Sequence, residues 1–195
     1  MNLPNKITIS RIVLTVLFLF FLSMPGAVNK LLALVIFVLA SFTDYLDGWI
    51  AKKNDLVTDF GKIMDPVADK TLTISAFVAF AFMGVVPWFI VLVIVIREFF
   101  VTGWRLKALI QGKVFAASSA GKKKTVSQIV AIFLALIFVL MREIEYKSVP
   151  FLTGEKEILC EHILFFIMVM AAVLTVSSGV SYFVADRNHV IPRNR

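Results

Sequence analysis

In a strongly apolar chain, four aspartates have the types and spacing for chemistry: Asp44 and Asp47, three residues apart, and Asp65 and Asp69, four apart. Such spacings bring side chains to one face of a helix, so two carboxylate pairs are expected to converge from two neighbouring helices. An aspartate at the centre of a membrane helix costs about 3 kcal/mol, so four near the ends of two apolar runs need compensation. No histidine or cysteine lies near them. An all-oxygen donor set is a hard site, suited to Mg²⁺, Mn²⁺ or Ca²⁺ and not to zinc. A pair of divalent cations is its natural occupant, because two ions about 4 Å apart stabilise both the attacking and the leaving oxygen of an in-line phosphoryl displacement. A salt-bridged helix pair, with Lys52, Lys62 and Lys70 as partners, also uses acids, but does not need so many, with a glycine beside each pair. Gly48 and Gly61 each weaken a helix by about 1 kcal/mol relative to alanine. Close approach of a ligand or of another backbone explains such glycines, as does small-residue helix packing.

The elements that position these residues belong in lipid. The 195 residues are 59% hydrophobic, with 19 Phe, above the roughly 45–50% of soluble domains. No linker or charge block divides the chain, which predicts a single domain over residues 1–195. Apolar stretches long enough for a bilayer run at about 8–22, 31–51, 62–83, 86–110, 124–141 and 158–184. The expected fold is all-α, a polytopic membrane protein of six transmembrane helices. Leu3, Pro4 and Asn5 are expected to form a short interfacial segment ahead of the first span, anchored by Lys6 and Arg11. The apolar run that follows lacks a small-x-small cleavage site, so a removable signal peptide is not expected. Cys160 is the single cysteine, which excludes an internal disulfide and a cysteine-based metal cluster; it reads as a small buried apolar residue.

Lys and Arg set the orientation, because loops rich in them stay in the cytoplasm. With the N-terminus inside, only Lys30, Arg142, Lys147 and Lys156 of the 20 Lys and Arg fall outside. Both termini and the aspartates are then cytoplasmic, in a cell (inner) membrane.

The run Asp44-x-x-Asp47-Gly48-x-x-Ala51-Lys52, followed by Gly61-x-x-x-Asp65-x-x-x-Asp69, resembles the signature of the CDP-alcohol phosphotransferases. One fixed position departs: Lys52 stands where the family has arginine, which keeps the charge but loses bidentate phosphate binding. The resemblance implies transfer of a phosphatidyl group from CDP-diacylglycerol onto an alcohol, with release of CMP and two divalent cations, Mg²⁺ or Mn²⁺, as cofactors. It implies Asp44, Asp47 and Asp65 as metal ligands, and Asp69 as both ligand and general base for the acceptor hydroxyl. Gly48 and Ala51 leave room for the cytidine; Asn5, Thr8, Arg11, Lys52 and Gly61 are further candidates for holding CDP-diacylglycerol. The family also suggests a homodimer. Membrane lipids are the expected surroundings, and no nucleic-acid partner is expected.

Acceptor choice is expected to lie elsewhere. The segments from Arg97 to Arg105 and from Gly121 to Thr125, and the N-terminal Leu3-Pro4-Asn5-x-x-Thr8-x-x-Arg11, are similar to those of the branch that uses glycerol 3-phosphate. A phosphate-bearing acceptor needs a cationic pocket, which Arg97, Arg105, Lys122 and Lys124 are placed to supply. Lys122, Lys123 and Lys124 also read as a positive-inside flank drawn to anionic headgroups, whereas Arg97 and Glu98 sit in an apolar run and must face a polar interior. Inositol phosphate is the alternative acceptor. A cation transporter uses intramembrane carboxylates as well, but usually places them at the midplane of broken, repeated helices; here they cluster at one end and no repeat is found. A non-catalytic scaffold has no need of the acids. His162 and His189 lack acidic or cysteine partners in sequence; Trp49, Trp88 and Trp104, like Tyr182, read as interfacial aromatics.

Overall fold

In the computed structural model the described chain folds as helices alone: α1 (Leu3–Ser23), α2 (Ala27–Ala51), α3 (Asp59–Phe82), α4 (Trp88–Ile110), α5 (Ser119–Glu145) and α6 (Glu155–Asn188). The structure describes the backbone of residues 3–51, 59–110, 119–145 and 154–188, and the side chains of residues 9–43, 70–104, 106–107, 121–144 and 154–181. Each helix covers one of the expected apolar stretches. The interfacial segment expected at Leu3, Pro4 and Asn5 is not a separate element, because these residues form the first turn of α1. Pro4 is tolerated there, since first-turn N–H groups have no intrahelical acceptor in any case.

Turn chemistry sets the helix ends. Gly84, at φ 71°, closes α3: its N–H donates to Ala81 O at 3.1 Å and that of Val85 to Phe80 O at 3.0 Å. This is a glycine C-cap of the Schellman type, which satisfies orphan carbonyls of the last turn. Glu155 and Glu157 occupy the first turn of α6, where negative charge suits the helix dipole.

Side-chain contacts pair α1 with α2, α3 with α4 and α5 with α6, each pair antiparallel. Phe18 of α1 meets Phe37 of α2 with ring centroids 5.7 Å apart, and Lys70 of α3 reaches Glu98 of α4. Gln128 of α5 reaches Thr175 of α6. The buried core joins large side chains, among them Phe77, Phe80, Ile94, Leu136 and Met168, with Ala33, Ala40, Ala76, Ala131 and Ala135. Small residues let helices approach closely where lipid removes the usual hydrophobic drive. Cys160 packs, partly buried, at the edge of this core.

At the end opposite the aspartates, the Gly26 N–H donates to the Glu143 carboxylate of α5 at 2.5 Å. Lys30 Nζ, also buried, donates to Leu22 O at 2.5 Å. These bonds tie the α1–α2 turn down. The outer surface is apolar: Phe82 is 89% exposed, and Val28, Trp88, Phe99 and Phe166 are also open. Apolar exposure on this scale marks a surface that meets lipid or another chain. Among the described residues, Gly121–Ile144 and Glu155–Ser181 are long and apolar enough to cross a membrane, while Ile9–Ser23, Ala27–Thr43 and Lys70–Phe82 are shorter apolar helices.

Candidate active site

Three helices carry a polar residue in register with their buried apolar stripe. In α4 the buried positions include Ile90, Ile94, Glu98 and Val101; in α5, Lys124, Gln128, Ala131 and Ala135; in α6, Met168, Ala171, Thr175 and Ser178. Steps of three and four hold each series on one helix face, so packing of the apolar members forces the polar ones inward. They meet around Glu98. Its carboxylate accepts from Lys70 Nζ of α3 at 2.6 Å and from Arg97 Nη1 at 3.1 Å. Lys124 Nζ of α5 donates to the same carboxylate, as does Gln128 Nε2 at 3.2 Å. Gln128 Nε2 also reaches Thr175 Oγ1 at 3.0 Å, and Thr175 Oγ1 donates to Ala171 O at 2.6 Å. Arg97 Nη2 donates to Ser178 Oγ at 2.5 Å.

The cluster therefore bridges α3, α4, α5 and α6. Glu98 and Lys124 are 3% and 7% exposed, Arg97 11%. Charges so placed are tolerable only when paired and hydrogen-bonded. Three cations surround one carboxylate, which leaves an excess of positive charge among the described side chains. Arg97 Nε is buried with no hydrogen-bond partner among them.

Of the residues expected to hold an acceptor phosphate, Arg97 and Lys124 come together through Glu98, whereas Lys122 is exposed on α5 beside the equally exposed Lys123. The Arg105 side chain lies outside the described residues. Arg11 is buried on α1. The side chains of Asn5, Thr8, Asp44, Asp47, Gly48, Ala51, Gly61, Asp65 and Asp69, and all of Lys52, likewise lie outside them. Sequence reading missed Gln128, Thr175 and Ser178, and took Glu98 only as a neighbour of Arg97. Their phase within the apolar stripes was the signal that could have found them.

The backbone bears on the metal. Asp44 and Asp47 stand in the last two turns of α2, and Asp65 and Asp69 in the first three turns of α3. Both segments are helical throughout, so each pair shares a helix face. Donors of carboxylate type fit a hard divalent cation. Among the described side chains no group of three or more His, Cys, Asp or Glu could hold a metal, and the four aspartates are not among those.

Residues 1–177 match the family described as CDP-alcohol phosphatidyltransferase. The chain is 40% identical over 162 residues, 77% of its own length and 83% of the relative's, to the CDP-diacylglycerol--glycerol-3-phosphate 3-phosphatidyltransferase of Bacillus subtilis (strain 168). It is 36% identical over 191 residues, 96% of this chain and 97% of the other, to the protein of the same name in Rickettsia bellii (strain RML369-C). That of Rickettsia typhi (strain ATCC VR-144 / Wilmington) is 34% identical over 189 residues, 96% and 98% of the two chains.

Proposed function

The chain belongs to the CDP-alcohol phosphatidyltransferase family, and on that premise we propose that it transfers the phosphatidyl group of CDP-diacylglycerol to glycerol 3-phosphate, giving phosphatidylglycerol phosphate and CMP. It is an enzyme of phospholipid biosynthesis. The relatives named for this reaction match nearly the whole chain, and the observation that carries the acceptor assignment is the cationic excess around Glu98 among the described side chains. Lys70, Arg97 and Lys124 face a single carboxylate. A dianionic phosphate meets that excess, which an acceptor without phosphate does not.

The acceptor hydroxyl oxygen attacks the phosphorus attached to diacylglycerol, and the bond from that phosphorus to the diphosphate bridging oxygen breaks. Asp69 takes the hydroxyl proton as general base. CMP carries away the bonding electrons as a phosphate. The divalent cations, Mg²⁺ or Mn²⁺ and two in number, would be held by Asp44, Asp47, Asp65 and Asp69 and would neutralise charge on the attacking and leaving oxygens. Asn5, Thr8, Arg11 and Lys52 contact the cytidine and diphosphate, while Gly48, Ala51 and Gly61 leave them space. Arg97 and Lys124, with Arg105, hold the acceptor phosphate, and the exposed Lys122 stays outside that pocket.

All six helices span the cell (inner) membrane with both termini cytoplasmic, so that the aspartates meet cytosolic substrates and the acyl chains leave sideways into lipid; the active unit is a homodimer. One assay tests the reaction and its acceptor together: release of labelled CMP from CDP-diacylglycerol with glycerol 3-phosphate, glycerol, serine and inositol phosphate offered in turn. Turnover with glycerol 3-phosphate alone is expected. Equal use of inositol phosphate sinks the acceptor assignment, and no CMP release with any acceptor sinks the activity.

A further inference from the structure

The last helix meets the cationic cluster at two adjacent residues that the family match, ending at residue 177, does not include. Ser178, 1% exposed, accepts from Arg97 Nη2 at 2.5 Å. Next to it, a Cβ added to Gly179 would lie 3.2 Å from Arg97 Nε, 3.5 Å from Arg97 Cγ and 3.8 Å from Val101 Cγ2. A glycine in a membrane helix usually serves close approach of two backbones. Here the atoms an added methyl meets belong to side chains, chiefly that of Arg97, so the missing Cβ makes room for the arginine and not for the α4 backbone.

We propose that Ser178 and Gly179 are positioning residues, which place the Arg97 guanidinium for the acceptor phosphate. The inference rests on the acceptor reading above. Ser178 holds one end of the guanidinium while Glu98 accepts from Nη1 at 3.1 Å, so the planar group is fixed from two helices. Gly179, lacking a Cβ, lets Nε and Cγ of Arg97 pack closely against α6. Nε is buried with no hydrogen-bond partner among the described residues, while Nη1 and Nη2 are each engaged through one bond and each keep a second N–H with which to meet a phosphate. A guanidinium fixed in this way loses little freedom when a phosphate binds, which favours affinity for the acceptor.

The test uses the full-length enzyme in lipid nanodiscs and compares Ser178→Ala, Gly179→Ala and Gly179→Val with wild type, reading KM for glycerol 3-phosphate, KM for CDP-diacylglycerol and kcat. Ser177→Ala is the control, because Ser177 is exposed and donates to Leu174 O of its own helix at 3.1 Å. Loss of one bond to a charged group is expected to raise the acceptor KM on the order of tenfold in Ser178→Ala. In the Gly179 series the rise is expected to grow from Ala to Val as the added group pushes Arg97 further. KM for CDP-diacylglycerol is expected to stay within about twofold, and kcat to change less than the acceptor KM. If Gly179→Val does not insert, Ser178→Ala and Gly179→Ala decide the matter. The assignment is overturned if the acceptor KM stays within about twofold of wild type in those two variants, or if both substrates' KM values rise together, as in general loosening of the fold. A wild type that is inactive with glycerol 3-phosphate overturns the acceptor reading itself, and the proposal with it, whereas an active wild type with unmoved variants overturns only the roles of Ser178 and Gly179.

Discussion

Lys124 of α5 and Glu98 of α4 form an ion pair in which the lysine is 7% exposed and the glutamate 3%. Lys122 and Lys123, the two residues before Lys124, are exposed on the same helix. A helix turns by about 100° per residue, so in a run of three lysines one points inward while the others stay outside. The inward one is in step with Gln128, Ala131 and Ala135, and the packing of those residues selects it.

Glu98→Gln keeps the shape of the hub and removes its charge, leaving Lys70, Arg97 and Lys124 facing one another. Breaking a buried pair from one side typically costs about 3–5 kcal/mol. The thermal midpoint of the purified enzyme in detergent is expected to fall markedly. Glu98→Gln combined with Lys124→Gln is expected to recover part of the loss, because the two sites share one interaction. Losses that simply add would show that the pair contributes nothing.

Asp65→Asn and Asp69→Asn are expected to insert and purify like wild type and to release no CMP. Their charges are a burden on the fold, which the metal they are proposed to hold offsets. Excess chelator is expected to abolish wild-type turnover, and Mg²⁺ or Mn²⁺ to restore it. Full activity of either variant, or of the wild type in chelator, rules out the metal assignment.

Arg105→Ala and Lys124→Ala test the phosphate pocket. Each is expected to raise the KM for glycerol 3-phosphate about tenfold to a hundredfold, the loss of a charge-assisted bond of about 1.5–3 kcal/mol, with KM for CDP-diacylglycerol nearly unchanged. Lys123→Ala, at an exposed position, is the control. Wild-type acceptor KM in both variants would falsify the pocket.

Topology is open to cysteine labelling, since Cys160 is the only native thiol and can be replaced first. Single cysteines at Lys53 and Asn194 are expected to resist a membrane-impermeant reagent in intact cells, and one at Thr153 to react. Labelling at Asn194 from outside means an odd number of spans, and contradicts the placement of both termini in the cytoplasm.

Much of this protein was legible before any fold was known. A helix that crosses lipid must satisfy its backbone internally and be apolar along its length, so the number and approximate bounds of the helices follow from composition along the chain. The resemblance that names the family is carried by the local spacing of Asp44, Asp47, Asp65 and Asp69, which survives in linear sequence because helix geometry maps steps of three and four onto one face. Partnership between helices has no such local record. That Glu98 gathers Lys70 and Lys124, that Ser178 holds Arg97, and that Gly179 leaves room for it depend on how each helix is rolled about its axis against three others. The buried stripes set that roll collectively. Only the packed tertiary structure decides which polar side chains, far apart along the chain, share one interior.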